Sequence, residues 1–424
     1  KYNKLLEKIP QTITPYDDYI SELKGKTVHK TKAGTQTTCY YATRDYTKGI
    51  IPTILENLLD QRKKTRSKIK QTDDENKKKV LDGFQLAYKV TANSVYGQMG
   101  AKTSSIFFKK IAACTTSIGR SRIYDARDGV VSWASAMGYN KPVVVYGDTD
   151  SVFVKFSRIH HETGEELHGK EGLQYCIDCG IKAGEWITEN IMNPNWNEEK
   201  YGKGPQDLEY EKTFYPFILI SKKRYTGDKY EYKSDKPKER TSMGIVMKRR
   251  DNAPIVKYVF GNVIEIIMNQ SVDIAIEWLR KALKQIKNGE MNESMFIISK
   301  SLRGYYKNPD AVAHKVLADR MAERNPGNKP KPNDRIPYMY RKLPDNMLYD
   351  FNNRYKSGAN KGKPRNKKIL QGDRIEHPDY IRENNLEIDY NFYITNSIMN
   401  PVKQVLDLEK DEEYTKEIFN DYLT

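Results

Sequence analysis

Lys141-Pro142-Val143-Val144-Val145-Tyr146-Gly147-Asp148-Thr149-Asp150-Ser151-Val152-Phe153-Val154-Lys155-Phe156 is the stretch from which this 424-residue chain is read outward. Its two flanks are β-branched and aromatic, which predicts a pair of strands. Gly147-Asp148-Thr149-Asp150 between them predicts a tight turn, because Gly and Asp tolerate the dihedrals a hairpin needs. Two carboxylates at the tip of a rigid hairpin suit a hard cation, since Mg²⁺ is commonly held by one or two carboxylates plus substrate phosphates. An Asp-rich turn is also an ordinary surface feature, so the rest of the chain has to decide.

Composition narrows the choice of partner. Lys and Arg total 72 against 56 Asp and Glu, a formal charge of +16. Such an excess favours a polyanion, because Lys and Arg supply the salt-dependent, sequence-independent part of nucleic-acid affinity. No apolar run approaches the ~20 residues of a spanning helix, and no signal peptide opens the chain. A soluble, intracellular protein of two or three folded units is expected at this length. Four cysteines are too few for a disulfide scaffold. Cys176-Ile-Asp-Cys179 has half the spacing of a zinc site with no second pair to complete it, and reads as a helix with incidental cysteines. His160, His161 and His168 show no ligand spacing and read as surface. The 30 tyrosines against 12 phenylalanines suit a wet groove as well as half-buried surface.

In chain order, Lys32-Ala33-Gly34-Thr35 predicts a hairpin turn feeding Cys39–Ala42. From Gly49 apolar residues recur at helical spacing, with Pro52 in the first turn. A second helix is predicted from Lys78 to Gly97 beyond a turn at Asp73–Asn76, giving an antiparallel helical hairpin. On it Lys89, Asn93 and Tyr96 share one face. A cation, an amide and an aromatic ring on one stripe can grip triphosphate, sugar and base, or form a plain solvated basic face. A long helix is expected over 104–138 and another around Tyr175–Ile191. Asp207–Phe214 alternates like a strand and leads through Ile218–Ser221 into Lys222-Lys223-Arg224-Tyr225. That charge run follows an apolar strand directly and closes with an aromatic, as a phosphate or minor-groove contact requires. Asp251 or Asn252 is expected to cap a helix entered through Pro254 and ending near Asn269.

Taken as an ordered set, these stretches resemble family B DNA polymerases from Gly49 onward, in particular the polymerase delta and large-DNA-virus group. Tyr146–Ser151 resembles the palm metal motif. Lys89–Gly97 is similar to the fingers motif, Lys222–Tyr225 to the motif that grips the primer–template duplex, and Arg249-Arg250-Asp251-Asn252 to the palm-to-thumb junction. The resemblance implies an α+β fold: a palm with antiparallel β-sheet and helices, helical-hairpin fingers and a mainly helical thumb. The implied division is 1–48 (the N-terminal part of the palm), 49–100 (fingers), 101–243 (palm, with the metal hairpin at 142–156) and 244–424 (thumb).

The activity implied is DNA-directed DNA synthesis from dNTPs on a primer 3′-hydroxyl, a nucleotidyl transfer. By position, Asp148 and Asp150 become the catalytic and metal-binding carboxylates. Two Mg²⁺ ions are implied, Mn²⁺ being able to substitute. Arg62, Arg66, Lys89, Asn93, Tyr96 and Gly97 become the nucleotide site, and Glu209 and Glu211 acidic residues supporting the metals. Lys222, Lys223, Arg224, Tyr225, Arg249 and Arg250 become DNA contacts. Primer–template DNA, dNTPs and a sliding clamp or other replication factors are the implied partners, with no membrane, in the nucleus or at a viral replication site. The basic stretch Lys361–Lys368 suits a duplex-facing loop or a nuclear address. The family's other palm motif, with a further Asp and a sugar-selecting Tyr, belongs before residue 1, so the chain alone is expected to bind duplex DNA and to polymerise poorly. A polymerase relative serving only as a DNA-binding module is the alternative. A reverse transcriptase fits less well, because Thr149 separates the aspartates.

Overall fold

In the computed structural model, residues 11–24, 27–43, 46, 48–194, 199, 204–354, 356 and 360–423 are described. Their contacts divide the chain into two units, Lys1–Tyr210 and Glu211–Thr424. Both mix helices with small antiparallel sheets, an α+β architecture.

In the first unit, β1 (Gln11–Lys24) pairs antiparallel with β2 (Thr27–Ala42) as one long ribbon. The turn expected at Lys32–Thr35 is instead an irregularity within β2, where the register shifts between Asp17 and Tyr19. Asp18 stabilises it by accepting from the Thr35 and Thr37 hydroxyls at 3.2 and 3.0 Å. Then α1 (Ile50–Gln71) and α2 (Glu75–Gly100) form the helical hairpin. The second helix starts three residues earlier than its apolar periodicity suggests, because the Asp74 side chain accepts from the backbone of Asn76 and Lys77.

The organising element is α3 (Lys109–Ala136). It begins later than expected: residues 104–108 form a turn, closed by Phe108 N–H donating to Met99 O at 2.9 Å. The ribbon docks on it through Ser117 Oγ, which donates to Pro15 O at 3.0 Å. Farther along, its buried face (Ala126, Val130, Trp133, Ala134) packs against α4 (Gly169–Ile187) and the π-helical turn Thr188–Met192. The strand expected at Asp207–Phe214 starts only at Thr213. Residues 208–210 lie along α4 instead, where a Cβ on Gly184 would stand 2.6 Å from Leu208 O. Leu208 N–H donates to Thr188 Oγ1 at 2.8 Å, so the segment spends its hydrogen bonds on α4 rather than on a sheet. β3 (Val143–Asp148) and β4 (Ser151–Lys155) form the expected hairpin.

His161 is not a surface residue: its ring stacks on Tyr139 at 3.8 Å and hydrogen-bonds Tyr175 Oη at 3.2 Å. Cys179 is buried on α4, and burial pushes its thiol up to about 12, which disfavours the thiolate a zinc ion would need.

The second unit holds β5 (Thr213–Ser221), β6 (Arg224–Tyr230) and β7 (Glu239–Met243) in sequential antiparallel order. The helices α5 (Pro254–Asn269) and α6 (Val272–Lys287) each turn a buried face into its core, including Ile255, Val259, Phe260, Leu279 and Leu283. The cap of α5 is neither Asp251 nor Asn252. Asp251 is held by Arg249 at 2.8 Å and Asn252 donates to Val246 O, leaving Ala253 at the cap position before Pro254. Around this core lie β8 (Ile298–Ser301), α7 (Ala313–Arg324), β9 (Arg335–Tyr340), the ribbon β10 (Tyr349–Arg354) with β11 (Pro364–Asn366), β12 (Ile375–Glu376) and α8 (Met399–Leu406). Before α8 the chain makes a π-helical turn, Tyr393–Ile398, which sets Tyr393 into the core.

Candidate active site

Strand pairing of β3 and β4 runs to Asp148 opposite Ser151, so the loop is only Thr149-Asp150. Gly147 lies within β3, and the left-handed position falls on Thr149 at φ 57°. That is an outlier for a β-branched residue, with a cost of about 1–2 kcal/mol. Three local hydrogen bonds hold the conformation. Asp150 N–H donates to Asp148 O at 2.6 Å, Ser151 Oγ to the same carbonyl at 3.2 Å, and Thr149 Oγ1 to Asp148 Oδ1 at 3.1 Å. The result is a fixed turn with Asp148 half-buried and Asp150 exposed. Beneath it, Ile123 of α3 lies 3.6 Å from where a Cβ on Gly147 would stand.

Among the described residues, no group of three His, Cys, Asp or Glu side chains could hold a metal ion. The donors at the turn are thus two hard carboxylates. They fit part of a Mg²⁺ or Mn²⁺ shell, whose remaining oxygens would come from substrate phosphate, water or another carboxylate.

The nucleotide-site candidates lie on the helical hairpin. Lys89, Asn93 and Tyr96 occur at helical spacing on α2, and all are exposed, Tyr96 at 40%. Arg62, half-buried on α1, donates its Nε hydrogen to Gln85 Oε1 at 3.3 Å. Gln85 is one helical turn before Lys89, so Arg62 joins the same stripe. Arg66 is exposed on the next turn. Gly97 is exposed, with open space where a Cβ would be. The hairpin seats on α3 where Gly100 meets Ala112. Ile123, under the carboxylate turn, is eleven residues further along, roughly 16 Å of helix axis. One helix therefore carries both halves of the candidate site. Glu209 is exposed in the first unit.

In the second unit, Lys222-Lys223 is the two-residue turn between β5 and β6, with Ser221 paired to Arg224. Lys223 has φ 60°. Gly244, at φ +61°, lies under it so closely that a Cβ would stand 2.2 Å from Lys223 O. Arg224 donates to Gln404 Oε1 of α8 at 2.6 Å. Tyr225 is buried, its ring 5.7 Å from that of Phe217, so it supports the tip from below rather than presenting an aromatic to solvent. Arg249 is engaged by Asp251, whose carboxyl that hydrogen bond holds below the usual range. Arg250 is exposed, and Glu211, also exposed, pairs with Lys212 at 2.8 Å.

The sequence profile of DNA polymerase family B matches residues 9–170 and 181–408. The chain belongs to DNA polymerase family B. Among curated relatives, a DNA polymerase of Pyramimonas orientalis virus is 41% identical over 89% of this chain and 32% of its own length. One from Acanthamoeba polyphaga mimivirus is 42% identical over 71% of this chain and 16% of its own. The DNA polymerase delta catalytic subunit of Schizosaccharomyces pombe is 33% identical over 87% and 30%. This family B chain thus spans about a third, or less, of the curated relatives it matches. Its fold is similar to that of the family B DNA polymerase from the archaeon Pyrobaculum calidifontis, with a TM-score of 0.52 at 19% identity, covering 94% of this chain and 45% of that one.

Three residues of the family B chain escape a reading of motifs. Gln85 and Gln404 each lie far in sequence from the arginine they hold. Gly244 carries a signal only in hindsight, as the glycine that lets the backbone of Lys223 approach. No periodicity marks such contacts.

Proposed function

We propose that this region carries the fingers (49–100), most of the palm (1–48 and 101–243) and the thumb (244–424) of a template-directed DNA polymerase. The primer 3′-hydroxyl attacks the α-phosphate of a dNTP, a new phosphodiester forms, and pyrophosphate leaves. The observation that carries this reading is the two-carboxylate turn mounted on the same helix as the Arg62–Lys89 stripe.

Asp148 and Asp150 would hold the divalent ions, two Mg²⁺ with Mn²⁺ able to substitute; when bound these activate the hydroxyl and stabilise the leaving pyrophosphate. Arg62, Lys89 and Arg66 neutralise the triphosphate, an electrostatic role. Asn93 and Tyr96 line the nascent pair, and the open surface at Gly97 leaves room for it. Glu209 and Glu211 orient the carboxylate site from outside it. Lys222, Lys223 and Arg224 grip backbone phosphates of the primer–template duplex, Tyr225 supports that tip, and Arg249 and Arg250 extend the contact. The proposal extends to DNA replication inside the cell, in a nucleus or at a viral replication site, with a sliding clamp or similar factor as accessory partner; the relatives' names, DNA polymerase and DNA polymerase delta catalytic subunit, support the DNA synthesis itself. No helix among the described residues is long and apolar enough to cross a membrane.

Single-nucleotide incorporation by the full-length polymerase tests this reading. Lys89→Ala should slow incorporation by about 10²–10³, as for loss of other charge-stabilising donors, while duplex affinity stays within a few-fold. Unchanged incorporation by Lys89→Ala would remove the stripe from the site.

A further inference from the structure

The seam between the ribbon β1–β2 and α3 holds a pair of thiols that the site described above does not use. In β2 the even-numbered residues from Lys32 to Ala42 are exposed, while Ala33, Thr37, Cys39 and Tyr41 are covered. That alternation turns the odd-numbered face toward α3. Cys39 is the one buried residue of the ribbon among those described, and Cys114 is the one buried residue of α3 before Ala126. Cys114 Sγ lies 3.9 Å from Thr14 O, and Thr14 is the direct cross-strand partner of Cys39. The two thiols hydrogen-bond each other, and burial together with that contact raises the Cys39 thiol. Tyr41, next on the same face, also hydrogen-bonds Cys114.

Further contacts keep the seam in register. Ser117 Oγ donates to Pro15 O at 3.0 Å, and Arg120 faces Asp17 at 3.8 Å. Thr14, Pro15 and Asp17 thus follow Cys114, Ser117 and Arg120 along one side of the helix.

Free cysteines often serve a core only as small hydrophobes. Here the two most covered positions of the seam are both thiols, and they touch. They lie under a single layer, since Thr38 and Tyr40 on the outer face of the ribbon are exposed. The Lys110 ammonium, one turn before Cys114, opposes the effect of burial and favours the Cys39 thiolate. Sulfurs already in contact need only small rotations about their Cα–Cβ bonds to close an S–S bond of ~2.05 Å.

We propose that Cys39 and Cys114 are a peroxide-responsive pair that closes into a reversible disulfide, a covalent staple between the ribbon and α3. One sulfur, deprotonated, attacks a peroxide oxygen and breaks the O–O bond. A sulfenic acid forms, and the released hydroxide takes up the lost proton as water. The second sulfur attacks the sulfenic sulfur, forms the S–S bond and expels the hydroxyl, which leaves as water with the second thiol's proton. Two thiols are oxidised to one disulfide, and one peroxide is reduced to two waters. In a reducing compartment such a bond is transient. The loop it closes, from residue 39 to residue 114, is long, so the bond restricts the unfolded chain and raises stability. Cys114 lies two residues beyond Ala112, where the helical hairpin seats, so the staple stands at the base of that hairpin. The inference uses none of the residues of the polymerase reading.

The test treats the 424-residue chain with a small excess of hydrogen peroxide, alkylates the remaining thiols under denaturing conditions, and maps unreduced peptides by mass spectrometry. The staple predicts a cross-linked pair of peptides carrying Cys39 and Cys114, two hydrogens lighter than their sum, from monomeric protein. It also predicts a thermal midpoint several degrees above that of the reduced chain. Dithiothreitol should abolish both, and Cys39→Ser should show neither. Full alkylation of Cys39 and Cys114 in the peroxide-treated wild-type chain overturns the proposal. So does a bridge confined to Cys176 and Cys179, which would only span one turn of α4, or oxidation to sulfinic acid without a bridge.

Discussion

Arg62 of α1 and Gln85 of α2, both half-buried, are joined across the helical hairpin by a 3.3 Å hydrogen bond from Nε to Oε1. The bond leaves the terminal guanidinium nitrogens of Arg62 available at the level of the Lys89 stripe. Asp82 fixes Gln85 in turn, accepting from its Nε2 at 3.0 Å. A neutral amide is suited to this place. A carboxylate there would neutralise the cation proposed to meet a triphosphate.

Gln85→Glu should therefore raise the KM for dNTP in the full-length enzyme by roughly tenfold, about 1.4 kcal/mol, with a smaller change in kcat. Gln85→Ala, which frees Arg62 without opposing it, should change KM by less than threefold. Steady-state kinetics on both variants decides this, and equal effects would mean that Gln85 acts only in packing.

Gly244 makes a second prediction. A side chain there would collide with Lys223 O and push the Lys222-Lys223 turn off its position. Gly244→Ala should weaken primer–template affinity by about 1–3 kcal/mol, as expected where the native φ is incompatible with the new residue, and should leave the KM for dNTP unaltered. Lys222→Gln with Lys223→Gln should reduce the salt slope, whereas Gly244→Ala should reduce affinity at every salt concentration.

Stability should depend on Glu376, buried at 1% exposure and held by Arg324 through two hydrogen bonds of 3.0 and 2.9 Å. Burial pushes its carboxyl up, but the Arg324 hydrogen bonds, the His377 N–H and the Arg320 charge outweigh this and leave it below the ordinary value. A depressed carboxyl contributes stability above its unfolded value, about 4.3, and that contribution is lost as pH falls through the lower folded value. Glu376→Gln should cost about 1–3 kcal/mol at pH 7, since it weakens charge-assisted hydrogen bonds to the partly exposed Arg324 and leaves the half-buried Arg320 without its counter-charge. Its deficit relative to the wild type should shrink below pH 4. Urea melts at pH 7 and pH 3.5 measure this, and a constant deficit would contradict it.

Much of this was legible in the sequence because it is local. The β3–β4 hairpin follows from alternating β-branched residues, and α1 and α2 follow from periodicity. The Lys89–Asn93–Tyr96 stripe follows from helical spacing alone. What was not legible depends on contacts distant in sequence. Asp207–Phe214 alternates like a strand, but Gly184 and Thr188 draw its first half onto α4 and the turn that follows it. Lys32–Thr35 has turn composition, yet Asp18 on the neighbouring strand absorbs it as an irregularity. Tyr225 closes a basic run as a surface aromatic would, but packing against Phe214 and Phe217 buries it. The turn itself was placed one position early: Gly147 suggested the flexible residue, and Thr149 takes the left-handed conformation.

The most direct test of the central claim is primer extension by the full-length polymerase carrying Asp150→Asn, with duplex affinity measured on the same preparation. Extension should fall by at least about 10²–10³, the scale of losing one preorganised electrostatic group, with affinity for primer–template within a few-fold of the wild type. Extension at the wild-type rate would contradict it, and would leave the Asp148–Asp150 turn a surface feature of a DNA-binding protein.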